Sequence, residues 1–116
     1  MMRGVMTTLA LLGLAVSAAA PACDAPASVA DIPDGKTATR ALMVAAQKAV
    51  VAYDAAVKAY SACLQGEQKQ KLAAGGDRSQ LERNYSKLQN EEVSKLEKAA
   101  QRFNTELREF KALNAG

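Results

Sequence analysis

Residues 39–64, TRALMVAAQKAVVAYDAAVKAYSACL, have the periodicity of a long amphipathic helix. The larger apolar side chains recur with a 3-4-3-4 spacing over three heptads, which is typical of a helix that packs along one seam. The seam positions are Met43, Ala46, Val50, Tyr53, Val57, Tyr60 and Leu64. Alanine occupies much of the remaining surface and favours the helical state. The sequence therefore predicts a first helix over about residues 39–73, capped by Thr37 or Thr39.

A second helical segment follows the glycine pair at residues 75–76, which suits a helix C-terminus because glycine adopts positive φ readily. Asp77 with Gln80 matches an N-terminal capping box. The apolar positions that follow have helical spacing, with one five-residue step near the middle. They are Leu81, Tyr85, Leu88, Val93, Leu96, Ala100, Phe103, Leu107, Phe110 and Leu113. We expect this second helix over about residues 78–113.

These two segments predict an all-α fold, an antiparallel two-helix hairpin that resembles a coiled coil. Each helix has about 35 residues and the turn between them is short, so the second helix should fold back along the first. With the turn centred near residue 75, Tyr53 should lie near Leu96 and Met43 near Leu107. A single pair of helices leaves part of its apolar surface uncovered, so we expect a covering strap, self-association, or both.

The first 22 residues have the features of a secretory signal peptide. Arg3 supplies a basic start, and residues 5–16 form an apolar stretch of about a dozen residues, too short to cross a bilayer. Small residues follow, and cleavage after Ala19 or after Ala22 fits their pattern. We therefore expect an exported, periplasmic protein whose mature chain begins near Cys23.

The chain has two cysteines, Cys23 and Cys63. After export into an oxidising compartment, we expect them to form a disulfide. The alternative is acylation of Cys23, as in bacterial lipoproteins. Ala20 and Pro21 fit the signal of a lipoprotein poorly, so we favour the disulfide.

Chain geometry permits this bond. The segment before the first helix can extend over about 50 Å, whereas the helix advances about 36 Å between its start and Cys63. The two sulfurs can therefore meet only if residues 23–38 form an extended strap that runs back along the helix. Two prolines in this segment favour an extended path, and Val29 and Ile32 would then make apolar contacts with the helical surface.

The chemical inventory of the chain is short. It has no histidine, no glycine-rich phosphate loop and no cysteine spacing typical of zinc sites. We therefore predict no catalytic, cofactor-binding or metal site, no cofactor and no enzymatic activity. Glu91 and Glu92 are expected on a solvated helix face. Tyr53, Tyr60 and Tyr85 are expected in the core, with their hydroxyls at its rim.

The charges predict a solvated surface and no nucleic-acid partner. The formal net charge is +3, and no run of Lys or Arg stands out. Four-residue spacings predict exposed ion pairs between Glu91 and Lys95 and between Arg102 and Glu106.

Several stretches together resemble a group of small exported proteobacterial proteins of unknown function. They are Cys23, IPDGKTAT at residues 32–39, MVAAQKAVVAY at 43–53, AYSACL at 59–64 and RFNTELREFKA at 102–112. The resemblance covers nearly the whole mature chain. It implies export in a Gram-negative cell and paired cysteines, and it implies no activity, cofactor or catalytic residue.

These expectations favour a non-enzymatic, exported cell-envelope protein that acts as a helical interaction module. Its partner would be another envelope protein or a second copy of the chain. Contact with the membrane is expected only if Cys23 is acylated, which would make the protein an anchored lipoprotein. A further alternative is a holdase-like periplasmic chaperone, because the hairpin is long and has a polar, basic tip.

Overall fold

The computed structural model describes residues 23–29 and 31–115. Within them, helix α1 spans Arg40–Ala73 and helix α2 spans Arg78–Asn114, and this described part contains no strand. The two helices pack against each other as an antiparallel hairpin, which confirms the predicted all-α fold. The predicted signal peptide at residues 1–22 lies outside the described residues.

Both helices begin at a predicted side-chain cap. Thr39 Oγ1 accepts a hydrogen bond from the Leu42 N–H at 3.2 Å, and Asp77 Oδ1 accepts one from the Gln80 N–H at 2.9 Å. Each bond satisfies an amide that a helix N-terminus leaves unpaired. In the turn, Gly75 has a φ of 93°, a conformation that glycine adopts without strain. The cap at Asp77 and the positive φ of Gly75 therefore determine where the chain reverses.

The core of the hairpin contains two clusters, and Tyr53 and Val57 are buried as well. The cluster near the open end contains Ile32, Met43, Ala46 and Phe103. The cluster near the turn contains Tyr60, Leu64 and Tyr85, with Cys23 and Leu81 packed against it. Ile32 and Cys23 belong to the strap, residues 23–38, so this irregular segment contributes to the packing at both ends. The strap is therefore a third element of the core.

The pairing between the helices follows the predicted antiparallel arrangement. Leu107, the predicted neighbour of Met43, packs against the cluster that contains Met43 and Phe103. In the middle of the hairpin, the hydroxyl of Tyr53 bonds Glu92, one turn before the predicted neighbour Leu96. This polar contact, described below, is the part of the pairing that the apolar pattern does not predict.

The strap is tied to α1 by the Cys23–Cys63 disulfide, whose Cα atoms are 5.7 Å apart, and this confirms the predicted bond. From there the strap crosses to α2. Gly35 lies so close to the α2 backbone that an added Cβ would overlap the carbonyl oxygen of Glu106 and lie 3.0 Å from the nitrogen of Phe110. Because backbone atoms cannot move aside cheaply, only glycine permits this approach. The strap therefore contacts both helices.

We expect the Cys23→Ser/Cys63→Ser variant to lose about 4 kcal/mol of unfolding free energy, since the bond closes a loop with a sequence separation of 40. Urea denaturation of the oxidised mature protein and of the variant measures the difference. Wild-type protein unfolded under reducing conditions is the matched control and should behave as the variant does. Equal stability of the oxidised and reduced proteins would contradict the role given to the strap.

Gly35→Ala should destabilise the protein by about 1–3 kcal/mol, because the new methyl group forces the strap away from α2. Gly66→Ala is the control. Gly66 lies inside α1, and an added Cβ there would meet no atom within 4 Å. Alanine at residue 66 should therefore stabilise the helix by about 0.5–1 kcal/mol. Thermal unfolding should show a lower melting temperature for Gly35→Ala and a higher one for Gly66→Ala than for the wild type. Changes in the same direction for both variants would be inconsistent with this packing.

Candidate functional site

A buried polar network lies between the helices at the middle of the hairpin. Glu92 is only 4% exposed, and the Tyr53 hydroxyl donates a hydrogen bond of 2.9 Å to its Oε2. Lys95 Nζ lies 3.2 Å from Oε1 of the same carboxylate. Two predictions are therefore wrong: Glu92 is not on a solvated face, and the Tyr53 hydroxyl is not at the rim of the core.

The physical reason is that a buried hydroxyl needs a partner and a buried carboxylate needs both hydrogen bonds and a counter-charge. Tyr53 and Glu92 supply the hydrogen bond to each other. Lys95 supplies the positive charge and keeps its own amine in contact with water, since its side chain is 55% exposed. The Tyr53 hydroxyl and both carboxylate oxygens of Glu92 therefore have polar partners although they are buried.

Glu92 also explains the five-residue step in the apolar pattern of α2. Val93, which was predicted at the seam, is 39% exposed, and Leu88 is equally exposed. Gln89 and Glu92 are the residues turned inward there. When these two polar residues are counted, the buried stripe keeps its helical spacing without a step. The gap in the apolar pattern, opposite a seam tyrosine, was the signal that could have located Glu92.

Burial raises the pKa of Tyr53, and the hydrogen bond to Glu92 and the negative charge of Glu92 raise it further, with Ser28 acting in the opposite direction. Burial also raises the pKa of Tyr60, and the nearby charge of Glu92 adds to the effect. Both phenols are therefore neutral at physiological pH, and neither is prepared to act as a base or nucleophile.

A groove of about 260 Å³ lies beside this network, between the strap and α2. We call it the strap groove. The strap contributes Ser28, Val29 and Ile32 to it, and α2 contributes Lys95, Lys98 and Arg102. The three basic residues follow one another on successive turns of one face of α2. The groove therefore combines an apolar wall with a row of cations.

The ion pairs of this region differ from those predicted. Lys95 pairs with Glu92, three residues before it, and not with Glu91. Arg102 forms no ion pair with Glu106, and within the described part of the chain neither Arg102 nor Lys98 pairs with any carboxylate. Glu92 attracts Lys95 because the buried carboxylate has few other ways to be neutralised.

An acidic cluster lies where the strap meets the end of α2. Carboxylate oxygens of Asp34, Glu106 and Glu109 lie within 4.8 Å of one another, and Glu106 Oε2 is buried without a hydrogen-bond partner. Hard cations such as Ca²⁺ prefer oxygen ligands but take six to eight of them. Among the described residues, these three are the best placed to contact a cation. One oxygen from each would supply at most half of the ligands that Ca²⁺ takes.

The predicted disulfide residues lie away from this groove, at the turn end of the strap. Because the Cys23 sulfur is bonded to Cys63, it is not free to carry a thioether-linked lipid. A structural disulfide indicates an oxidising compartment outside the cytoplasm. In residues 23–29 and 31–115, neither helix combines the length and the apolar character required of a membrane span.

Tyr53→Phe should cost about 1.5–3 kcal/mol at neutral pH, because it removes a hydrogen bond to a buried carboxylate. In the wild type, the raised pKa values of the tyrosines stabilise the folded state fully below pH 10.0, their ordinary value, and this contribution disappears as the pH rises through the raised values. Denaturation curves between pH 7 and 12 should therefore show a smaller alkaline loss of stability in Tyr53→Phe.

Glu92→Gln is the control for this experiment, since it keeps an acceptor for the Tyr53 hydroxyl and removes the charge. Its alkaline loss of stability should fall between those of the wild type and Tyr53→Phe. Identical pH profiles for all three proteins would show that the Tyr53 hydroxyl does not titrate within the network.

No protein-family model matches the chain, and no curated protein or solved structure matches it significantly. The resemblance to small exported proteobacterial proteins therefore stays a prediction. The residues themselves and their geometry are the basis on which a function can be assigned.

Proposed function

We propose that this protein is exported to the periplasm and acts there as a non-enzymatic helical interaction module of the cell envelope. The observation that supports this function best is a second apolar face on α1, directed away from α2. A helix face that needs no partner normally carries polar and charged residues. α2 covers one side of α1 and the strap lies along a second side, which leaves the outer side without a partner among the described residues.

The second face, which we call the outer face of α1, consists of small and medium-sized apolar residues. They are Ala41, Val44, Val51, Ala55, Ala59 and Ala62, and all are exposed. Val44 and Val51 are 42% and 61% exposed, and two turns of helix separate them. Lys48 lies within this face, one turn after Val44, and Lys58 lies at its edge.

The outward sides of the two helices differ in polarity. The side of α2 that points away from α1 carries polar residues such as Arg83, Ser94, Gln101 and Arg108, all of them exposed. Water solvates such a face without a partner. On α1, alanine dominates instead, and small side chains let the backbone of another helix approach closely. The outer face of α1 therefore suits an apolar helix, contributed by another envelope protein or by a second copy of this chain.

The remaining parts of the proposal rest on separate observations. Export is supported by the pattern of residues 1–22 and by the disulfide. A non-enzymatic role is supported by the lack of histidine and by the state of the buried network. Glu92 is held by Tyr53 and Lys95, so it lacks the freedom that a general acid or base needs.

A photo-crosslinking amino acid at residue 51 should form an adduct with the partner in cells that express the protein, whereas the same amino acid at Glu97 should not. Glu97 is exposed on the polar side of α2 and serves as the matched control. The mass of the adduct separates a second copy from a different protein. Adducts at neither position, or equal adducts at both, would contradict the assignment of the outer face of α1.

The Val51→Asp variant tests the chemistry of the same contact. An aspartate in an apolar helix interface must be desolvated without a partner, so the adduct yield from a crosslinker at residue 55 should fall about tenfold or more. Circular dichroism should show an unchanged hairpin, because Val51 is not in the core. An unchanged yield would show that apolar packing does not hold the partner.

A further inference from the structure

The strap groove has the chemistry of a small anion site. We propose that it binds an amphiphile in which one carboxylate or phosphate group is attached to a short apolar body. This inference concerns a different surface from the outer face of α1. It therefore does not depend on the proposed interaction with a helix.

Two cationic side chains of the groove, Lys98 and Arg102, are available to bind an anion. The positive charge of Lys95 is matched by Glu92, at 3.2 Å. Lys98 and Arg102 have no ion-pair partner among the described residues, and both side chains line the groove. They are four residues apart, so they project from the same face of α2 on consecutive turns. A guanidinium and an ammonium so placed can contact one carboxylate or phosphate together.

The acids nearby do not cancel this charge. Glu106 lies one turn beyond Arg102, where an ion pair was predicted, but its carboxylate joins Asp34 and Glu109 in the acidic cluster. Asp31 of the strap lines the opposite side of the strap, against α1. Glu91 shares a separate groove of α2 with Lys95 and Lys98 and forms no ion pair with either. The residues that line the strap groove itself include three cations and no acid, and this arrangement beside a low-dielectric wall strengthens attraction to an anion.

The apolar wall of the groove can contact the apolar body of the ligand. Val29 and Ile32 of the strap and Ala99 of α2 form one side of the groove, next to the buried Tyr53. Pockets for drug-sized ligands usually have volumes of about 300–1,000 Å³. At about 260 Å³, the groove is slightly smaller than these pockets and suits a short alkyl chain. Ser28 adds a hydroxyl that can donate a hydrogen bond to the anionic head.

The strap links this site to the disulfide. Ser28, Val29 and Ile32 all belong to the segment that Cys23 anchors, so the wall exists only while the strap lies on the hairpin. Breaking the disulfide should therefore weaken binding of the ligand without removing any residue that contacts it.

Octanoate and hexyl phosphate are suitable probes, with octanamide as the uncharged comparison. Titration into the oxidised, ¹⁵N-labelled mature protein should shift the amide resonances of residues 28–32 and 95–102 saturably for the anions. The two anions together show whether a carboxylate or a phosphate is preferred. Octanamide should bind at least about tenfold more weakly, since it lacks the charge.

The Lys98→Gln/Arg102→Gln variant should weaken anion binding at least about tenfold, because both counter-charges are lost. The control is Arg108→Gln/Lys111→Gln, which removes the same charge from exposed positions of α2 outside the groove. Its affinity should stay within about twofold of the wild type. Reduction of the disulfide should weaken binding in the wild type and change little in the Lys98→Gln/Arg102→Gln variant.

Three results would overturn the proposal: no saturable shift with either anion, equal affinity for octanamide, or equal loss in the two charge variants. Val51→Asp separates this test from the proposed function, because it alters the outer face of α1 and leaves the groove intact. A Val51→Asp protein that forms no adduct through residue 55 and still binds octanoate would retain the anion site and lose the helical partner.

Discussion

The covalent bond between Cys23 and Cys63 is the constraint on which the rest of this structure depends. Two helices in contact along one seam bury little apolar surface, and small domains with thin cores commonly need an additional restraint. The disulfide holds a segment without regular secondary structure against both helices. It thereby allows Ile32 to complete the cluster around Met43 and Phe103, and it brings Gly35 against the backbone of α2. Without the bond, the entropy of an extended segment would oppose each of these contacts.

The buried carboxylate of Glu92 has a different effect. It favours one alignment of α2 along α1 over alignments shifted by one turn. If α2 slid by one turn, the Tyr53 hydroxyl would face Leu96 and the carboxylate of Glu92 would lose its donor. Both groups would then be buried without partners, at a cost that apolar contacts do not recover. The apolar residues of the seam would tolerate such a slide far better. Specific pairing in this hairpin therefore comes from a polar contact, as it does where one buried polar residue fixes the register of a coiled coil.

These two features differ in how far the sequence reveals them. The caps at Thr39 and Asp77, the positive φ of Gly75 and the pairing of the cysteines follow from local chemistry or from chain length, and the structure has all of them. The polar contact in the middle of the hairpin does not follow from either. A pattern of apolar residues assigns every charged residue to the surface, so it places Glu92 in solvent and misses the contact of Glu92 with Tyr53. The partner of Lys95 was missed for the same reason, since its choice between Glu91 and Glu92 depends on which carboxylate is buried.

The hairpin presents two surfaces whose physical character is opposite. The outer face of α1 is apolar and rich in small side chains, so contact there is driven by removal of apolar surface from water and changes little with salt. The strap groove displays the unpaired charges of Lys98 and Arg102, so attraction there is screened as the ionic strength rises. The surfaces also differ in their dependence on the disulfide: α1 is helical through its own backbone hydrogen bonds, whereas the groove requires the strap to be in place. Reduction of the disulfide would therefore act directly on the groove, and on the outer face of α1 only through the stability of the whole hairpin.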